Sequence, residues 1–211
     1  GVIEGVRIKL ASRCGISPDL SEAINSRALL HIDNAYYLSD ISVENYLCKT
    51  NTSSSTAFRG FGGNQGMMII ENIVDNIAGY LKKDPAKIRK INFYQKNKKN
   101  ITHYGMKIED NVINEIYSKL IKSSNYKNRK LNIKKFNLKN KYLKKGLSFT
   151  PVKFGISFTT RHLNQAGALV HIYCADGSVH VSTGAIEMGQ GTYTKIAMLI
   201  SNELGLPFDK I

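Results

Sequence analysis

An α+β fold of mixed sheets with packed helices follows from three features of the 211-residue sequence. Apolar residues alternate in some stretches, as strands require. In others they recur every three or four positions, as amphipathic helices require. No internal repeat is present that would point to a solenoid.

The elements follow in order. Val2 to Leu10 alternates and reads as a strand. Ser17-Pro18-Asp19 opens a helix, with Ser or Asp as cap and Pro where a first turn tolerates it. Its stripe is Leu20, Ile24, Ala28 and Leu29. Tyr36 to Leu47 alternates again and predicts two short strands, followed by a polar loop from Lys49 to Ser55. A glycine-dense stretch from Ala57 to Gly66 then enters a strong helix with Met67, Ile70, Ile73, Val74, Ile77 and Leu81 on one stripe. Glu71 and Asp75 lie off that stripe. Asp84 suits an N-cap and Pro85 the first position of a short helix through Ile88 and Ile91. Glu109-Asp110 opens another, carrying Ile113, Ile116, Leu120 and Ile121.

The Lys- and Asn-rich stretch 123–145 reads as a basic surface helix and linker, because apolar anchors interrupt it. It divides a first portion, 1–145, from a second, 146–211. Gly146 to Phe158 returns to strand composition. Ala168–Tyr173 and Val179–Ser182 flank Ala175-Asp176-Gly177-Ser178 and predict a hairpin. Gly189-Gln190-Gly191-Thr192 leads into a last helix stopped by Gly205 and Pro207.

Composition narrows the function. No stretch approaches the roughly 18 apolar residues of a membrane span. The opening residues lack Met and a basic n-region, which reads as an internal piece of a longer chain without a signal peptide. Cys14, Cys48 and Cys174 are odd in number and widely spaced. They suggest free thiols in the cytoplasm, not disulfides or a zinc site. The five histidines form no pair at metal-ligand spacing and read as structural or surface residues. The net charge of +14 raises nucleic-acid binding, with Tyr126, Phe136 and Tyr142 near the basic run. Lys far exceeds Arg, however, and Asn and Ile are abundant too. An AT-rich coding sequence gives that combination on any protein, so a solvated surface is the expectation and nucleic acid is not an expected partner.

Two glycine-rich loops stand just before helices, where free backbone N–H groups favour anions. Neither matches a Walker or a Rossmann pattern, and on spacing alone both are ordinary turns needing positive φ. Arg59 sits between Phe58 and Phe61, a cation among rings that suits an oxyanion or metal-oxo group and a flat heteroaromatic. Phe158 offers another stacking surface and Thr159 a polar orienter, although the same stretch also reads as a plain strand end.

Thr56-Ala57-Phe58-Arg59-Gly60-Phe61-Gly62-Gly63, with Gln65-Gly66, resembles the glycine loop of xanthine dehydrogenase-type molybdenum hydroxylases. Lys153 to Phe158 and Leu163 to Leu169 resemble the stretch that follows it in those enzymes. Glu187-Met188-Gly189-Gln190-Gly191 is similar to a signature of their molybdopterin-binding domains, and Arg27-Ala28-Leu29 with Asp33-Asn34 fits upstream. The order and spacing hold from near residue 20 to residue 211.

The resemblance implies a fragment of a large subunit that oxidatively hydroxylates a purine, hypoxanthine or xanthine, at a molybdenum–molybdopterin centre. An aldehyde oxidase-type hydroxylase is the alternative within the family. It implies that Arg59 stands beside the molybdenum and that Phe61, Phe158 and Thr159 contact substrate. Phe58, Arg59, Gly60, Met188, Gly189 and Gln190 contact the cofactor on the same basis. Iron–sulfur clusters and FAD are expected on other regions or subunits of an oligomer. The family's catalytic glutamate lies beyond residue 211, so no catalytic residue is expected here, and Glu187 belongs to the pterin motif instead. Three departures stand out: Asn64 replaces a common proline, Thr160-Arg161-His162 differs, and Cys174-Ala175 adds a residue before the hairpin turn.

Overall fold

The computed structural model describes residues 1–211 and divides into two compact units, Gly1–Ile156 and Ser157–Ile211.

The first unit begins with β1 (Gly5–Gly15), α1 (Ser21–Leu30) and β2 (Asp40–Lys49). The two strands pair in parallel, from Gly5 opposite Asp40 to Gly15 opposite Lys49, with an irregularity after Arg13. Parallel neighbours need a crossover, and α1 supplies it. Ile8 and Leu10 of β1 bury against Ala28 and Ile32 on that crossover. Only one strand forms where two short ones were expected. Tyr36 instead makes an isolated bridge to Phe93 and stacks its ring on it at 5.9 Å.

Helix α2 (Gly63–Tyr80) buries Ile70 and Val74 of the expected stripe, and Ala78 with them. Helix α3 (Pro85–Asn92) starts where Asp84 accepts the Ala86 N–H at 2.8 Å. Helix α4 (Ile113–Ser123) begins later than the Glu109-Asp110 start. Asp110 has a left-handed backbone that the helix cannot continue through, and the Asn111 side chain accepts the Ile113 N–H instead. Helix α5 (Tyr126–Lys139) is the basic surface helix, with Tyr126 as its one buried residue.

These helices enclose one core, centred on Ile70, Val74, Ile88, Phe93, Tyr117 and Phe149. The strand expected over Gly146–Phe158 is absent. That segment is an extended strap whose backbone partners are side chains. Asn34 donates to the Pro151 carbonyl at 2.9 Å and accepts the Lys153 N–H at 3.1 Å. The Gly155 N–H goes to His31 Nε2 at 2.9 Å, and its carbonyl accepts from Arg27. With Phe149 in the core, the strap belongs to the first unit. The two compact units meet after Ile156.

The second unit holds a 3-10 turn (Arg161–Leu163), an antiparallel hairpin of β3 (Ala168–Ile172) and β4 (Val179–Thr183), and α6 (Thr192–Leu204). Gly177 takes the positive φ of the hairpin turn, and Asp176 accepts the Ser178 N–H at 3.0 Å. Gly205, also left-handed, ends α6. Val179, Ile196 and Ile200 line an open apolar groove of about 530 Å³ between β4 and α6.

Candidate functional site

The first glycine loop is a tight double turn. Phe61 N–H donates to the Phe58 carbonyl at 2.8 Å, and Gly63 N–H to the Gly60 carbonyl at 2.9 Å. Gly60, Phe61 and Gly62 have φ of 94°, 47° and 95°, three left-handed residues in a row. Glycine enters that region freely, but phenylalanine does so at a cost of roughly 1–2 kcal/mol. A Cβ at Gly62 would stand 1.9 Å from the Ile24 carbonyl oxygen, so the loop lies directly on the α1 backbone. Asn64, at the departure from the family pattern, donates to the Arg59 carbonyl at 2.7 Å and folds back across the turn. Phe58 is 77 % exposed and Arg59 is exposed beside it. Below them stands the N-terminus of α2, whose first-turn amides have no intrahelical carbonyl to meet. Phe58, Arg59, Gly60 and Phe61 thus share one turn over an electropositive helix end.

Behind the loop, the end of α1 carries a buried polar group. His31 Nδ1 lies 2.9 Å from the Arg27 carbonyl, which can only accept. Its Nε2 faces the Gly155 N–H, which can only donate. The ring is therefore the neutral Nδ1–H tautomer. Burial lowers its pKa from 6.5, as do the charges of Arg27 and Lys153, against the Arg27 carbonyl and Asp33.

Asp33 is fully buried and accepts from the Tyr94 hydroxyl at 2.6 Å and from Lys153. Burial alone would raise its carboxyl. His103, Lys153 and Tyr94 outweigh that and hold it below the usual range, although His103 Nδ1 stands 3.7 Å off, beyond hydrogen-bond reach. Burial pulls Lys153 below its usual range in spite of this pairing. Glu71, expected off the apolar stripe, turns inward and accepts from Arg89 at 2.7 Å, from Asn34 at 2.8 Å and from Tyr36.

In the second unit Phe158 and Thr159 are half-buried and precede the 3-10 turn. Asn164 brackets Phe158, accepting its N–H at 2.7 Å and donating to its carbonyl at 2.8 Å. The second glycine loop is also closed by its own side chains. Glu187 accepts the N–H groups of Gly189, Gly191 and Tyr193 at 2.7, 3.0 and 3.1 Å. Gln190 accepts the Met188 N–H and donates to the Ile186 carbonyl. The N–H groups expected to be free for an anion are largely taken, because a carboxylate two residues before the loop reaches them first. The Tyr193 N–H, with the Gly191, Gly189 and Thr192 amides, holds the Glu187 carboxyl below its usual range against the opposing effect of desolvation. Met188 and Gly189 remain exposed.

Sequence reasoning assigned no part to Asn164, Asn34 or the Asp33–Lys153 pair. The adjacent polar residues Asp33-Asn34 after an apolar helix were the available signal.

Comparison with known proteins bears on what this loop serves. Residues 1–93 match the model of a molybdopterin cofactor-binding domain, and residues 119–211 match a second model of the same description. The chain belongs to the molybdopterin cofactor-binding domains. All 211 residues of this molybdopterin-binding chain align with xanthine dehydrogenase/oxidase of Gallus gallus at 46 % identity, covering 15 % of that protein. Xanthine dehydrogenase of Dictyostelium discoideum is 40 % identical over the same span and also 15 % covered. Quinoline 2-oxidoreductase from Pseudomonas putida 86 shares the fold, with a TM-score of 0.77 at 20 % identity over 98 % of this chain and 28 % of that one. The Cu,Mo-CO dehydrogenase gives 0.71 at 21 % identity, over 99 % of this chain and 28 % of that one. The chain thus spans about one-seventh of the xanthine dehydrogenases it matches.

Molybdopterin is an anionic phosphate ester on a flat heterocycle. The first loop of this molybdopterin-binding chain carries features that suit such a group: an exposed guanidinium and an exposed ring directly before the N-terminus of α2. In the second loop Met188 and Gly189 are exposed, but their N–H groups are already held by Gln190 and Glu187, and the Gln190 side chain braces the loop.

Proposed function

We propose that this chain is part of the large subunit of a xanthine dehydrogenase-type molybdenum hydroxylase acting on a purine, hypoxanthine or xanthine. The observation that carries the reading is the Phe58–Gly63 turn. It keeps a strained phenylalanine and an exposed arginine over a helix N-terminus, in a chain 46 % identical to such an enzyme.

In this reading Arg59 lies beside the molybdenum and holds negative charge there by charge-assisted hydrogen bonds. Phe58 and Gly60, with Met188, Gly189 and Gln190, contact the pterin. Phe61 and Phe158 are the ring pair for a purine, and Thr159 orients it. The cofactor, when bound, supplies the redox chemistry, and the protein supplies position and field. The base is a glutamate outside this sequence, and electrons leave through iron–sulfur clusters and FAD held elsewhere in an oligomer. Glu187 is assigned to the pterin motif instead, and three backbone N–H groups tie its carboxylate to its own loop. The free thiols Cys14, Cys48 and Cys174 accord with the cytoplasm. No helix is long and apolar enough to cross a membrane.

Molybdenum and pterin analysis of the full-length enzyme tests the reading. Stoichiometric metal with faster turnover of xanthine than of simple aldehydes is expected. Absence of molybdenum from the assembled enzyme overturns the reading, and an aldehyde preference moves it to the aldehyde oxidase type. In that enzyme Arg59→Ala should lower kcat by about a hundredfold with the fold intact, the cost typical of losing one oriented donor. Unchanged turnover removes Arg59 from its assigned role.

A further inference from the structure

The glycine loop has a neighbour to which the resemblance assigns no role. Gly63 is the first residue of α2 and has an ordinary helical backbone, so no conformational demand calls for glycine there. What excludes a side chain is Phe154. A Cβ at Gly63 would stand 2.6 Å from Phe154 Cε2 and 3.2 Å from Cδ2. Phe154 is on the strap, far along the chain. It is held in place by its surroundings: the His31 ring 4.9 Å away at a 46° tilt, the Arg27 guanidinium 5.2 Å from its centroid, and the bonds from His31 and Arg27 to Gly155. Helix α1 therefore touches the loop at Gly62 through Ile24 and Ala28, and its C-terminal end clamps the strap through Arg27 and His31.

We infer that Phe154, clamped by His31 and Arg27, is a positioning residue for the Phe58–Gly63 loop. Its ring fills the space of the side chain that Gly63 lacks, and so holds the backbone that carries Arg59 and Phe61. The left-handed conformation of Phe61 persists only where its surroundings over-determine it. The Ile24 carbonyl under Gly62 and the ring over Gly63 provide two such constraints on adjacent residues. The consequence for turnover rests on the functional reading above, but the mechanical part does not.

The test is a double-mutant cycle in the full-length enzyme, using Phe154→Ala, Gly63→Ala and the pair together. The first readout is amide hydrogen exchange of residues 58–66, which needs neither cofactor nor substrate. The second is kcat and KM for xanthine. Phe154→Ala should speed exchange of the Phe61 and Gly63 amides about tenfold and leave the strands unchanged. Gly63→Ala, which forces the ring aside, should do the same. The double variant should exchange more slowly than Gly63→Ala alone, because the new methyl takes the vacated space. In the kinetics, KM should rise for each single variant and recover in the double. Loop exchange that is unchanged in Phe154→Ala, or a double variant that is only the sum of the singles, overturns the proposal. Phe154 is 44 % exposed, so its removal leaves the fold standing even if Gly63→Ala does not. An enzyme without molybdenum sinks the functional reading, while the exchange data still decide this one.

Discussion

Phe61 occupies backbone territory that glycine enters without cost, and its two glycine neighbours do the same. The sequence showed those glycines and suggested positive φ at the turn, but it could not show that a phenylalanine shares it. That depends on Ile24 and Phe154, which are distant in sequence. His31 was legible only as a structural or surface residue, and the structure settles it as buried. Its state has a pH consequence. Burial, the largest cause, lowers the pKa from 6.5, so the folded state disfavours the proton. A group depressed in this way contributes stability that is fully present above the unfolded pKa and is lost as pH falls through the folded one. Protonation would turn Nε2 into a donor facing the Gly155 N–H. Protection of the amides of residues 151–156, corrected for intrinsic exchange, should therefore fall as pH drops below about 6.5. His31→Leu should remove that pH dependence. A flat profile in the wild-type enzyme would mean that the ring does not hold the strap.

Elements with a local cause were readable. Asp84 and Pro85 announce α3, and the α2 stripe predicts its buried face. The strap was not readable, because its backbone partners are side chains placed by other elements, and α4 starts late because Asp110 takes a left-handed backbone that its residue type did not announce. Asp84 also joins elements: beyond capping α3 it meets Lys130 at 2.7 Å and the Tyr126 hydroxyl at 3.1 Å. Burial would raise its carboxyl, but the Lys130 hydrogen bond and the Ala86 N–H, with further help from Lys130 charge and Tyr126, leave it low. Asp84→Ala removes both the cap and the tie to α5, whose one buried residue is Tyr126. The cap alone is worth about 1 kcal/mol. The expected result is faster amide exchange in the first turn of α3 and along α5, with α2 unaffected. Asp84→Asn keeps an acceptor for Ala86 and should loosen α5 but not α3. Equal effects of the two substitutions on α3 would show that the cap contributes nothing.

For the whole molecule, the α+β class and the molybdopterin-binding resemblance were legible, because both rest on local strings and their order. How the second loop spends its amides was not legible, and it decides what Glu187 can do. A general base works best when its pKa lies near the operating pH. Glu187 accepts three N–H groups at the start of α6, and its carboxyl is held below the usual range, chiefly by the Tyr193 amide. It is a brace for the loop and a counter-charge for a helix end. In the full-length enzyme Glu187→Gln keeps one acceptor and removes the charge. Molybdopterin retention should fall, and the enzyme that keeps its cofactor should turn over with the acidic limb of its pH–rate profile in place. In the proposed reading that limb belongs to a carboxylate outside these 211 residues. If Glu187→Gln abolishes the limb in fully loaded enzyme, the base lies within this chain after all. The assignment of the loop as a brace would then have to be given up.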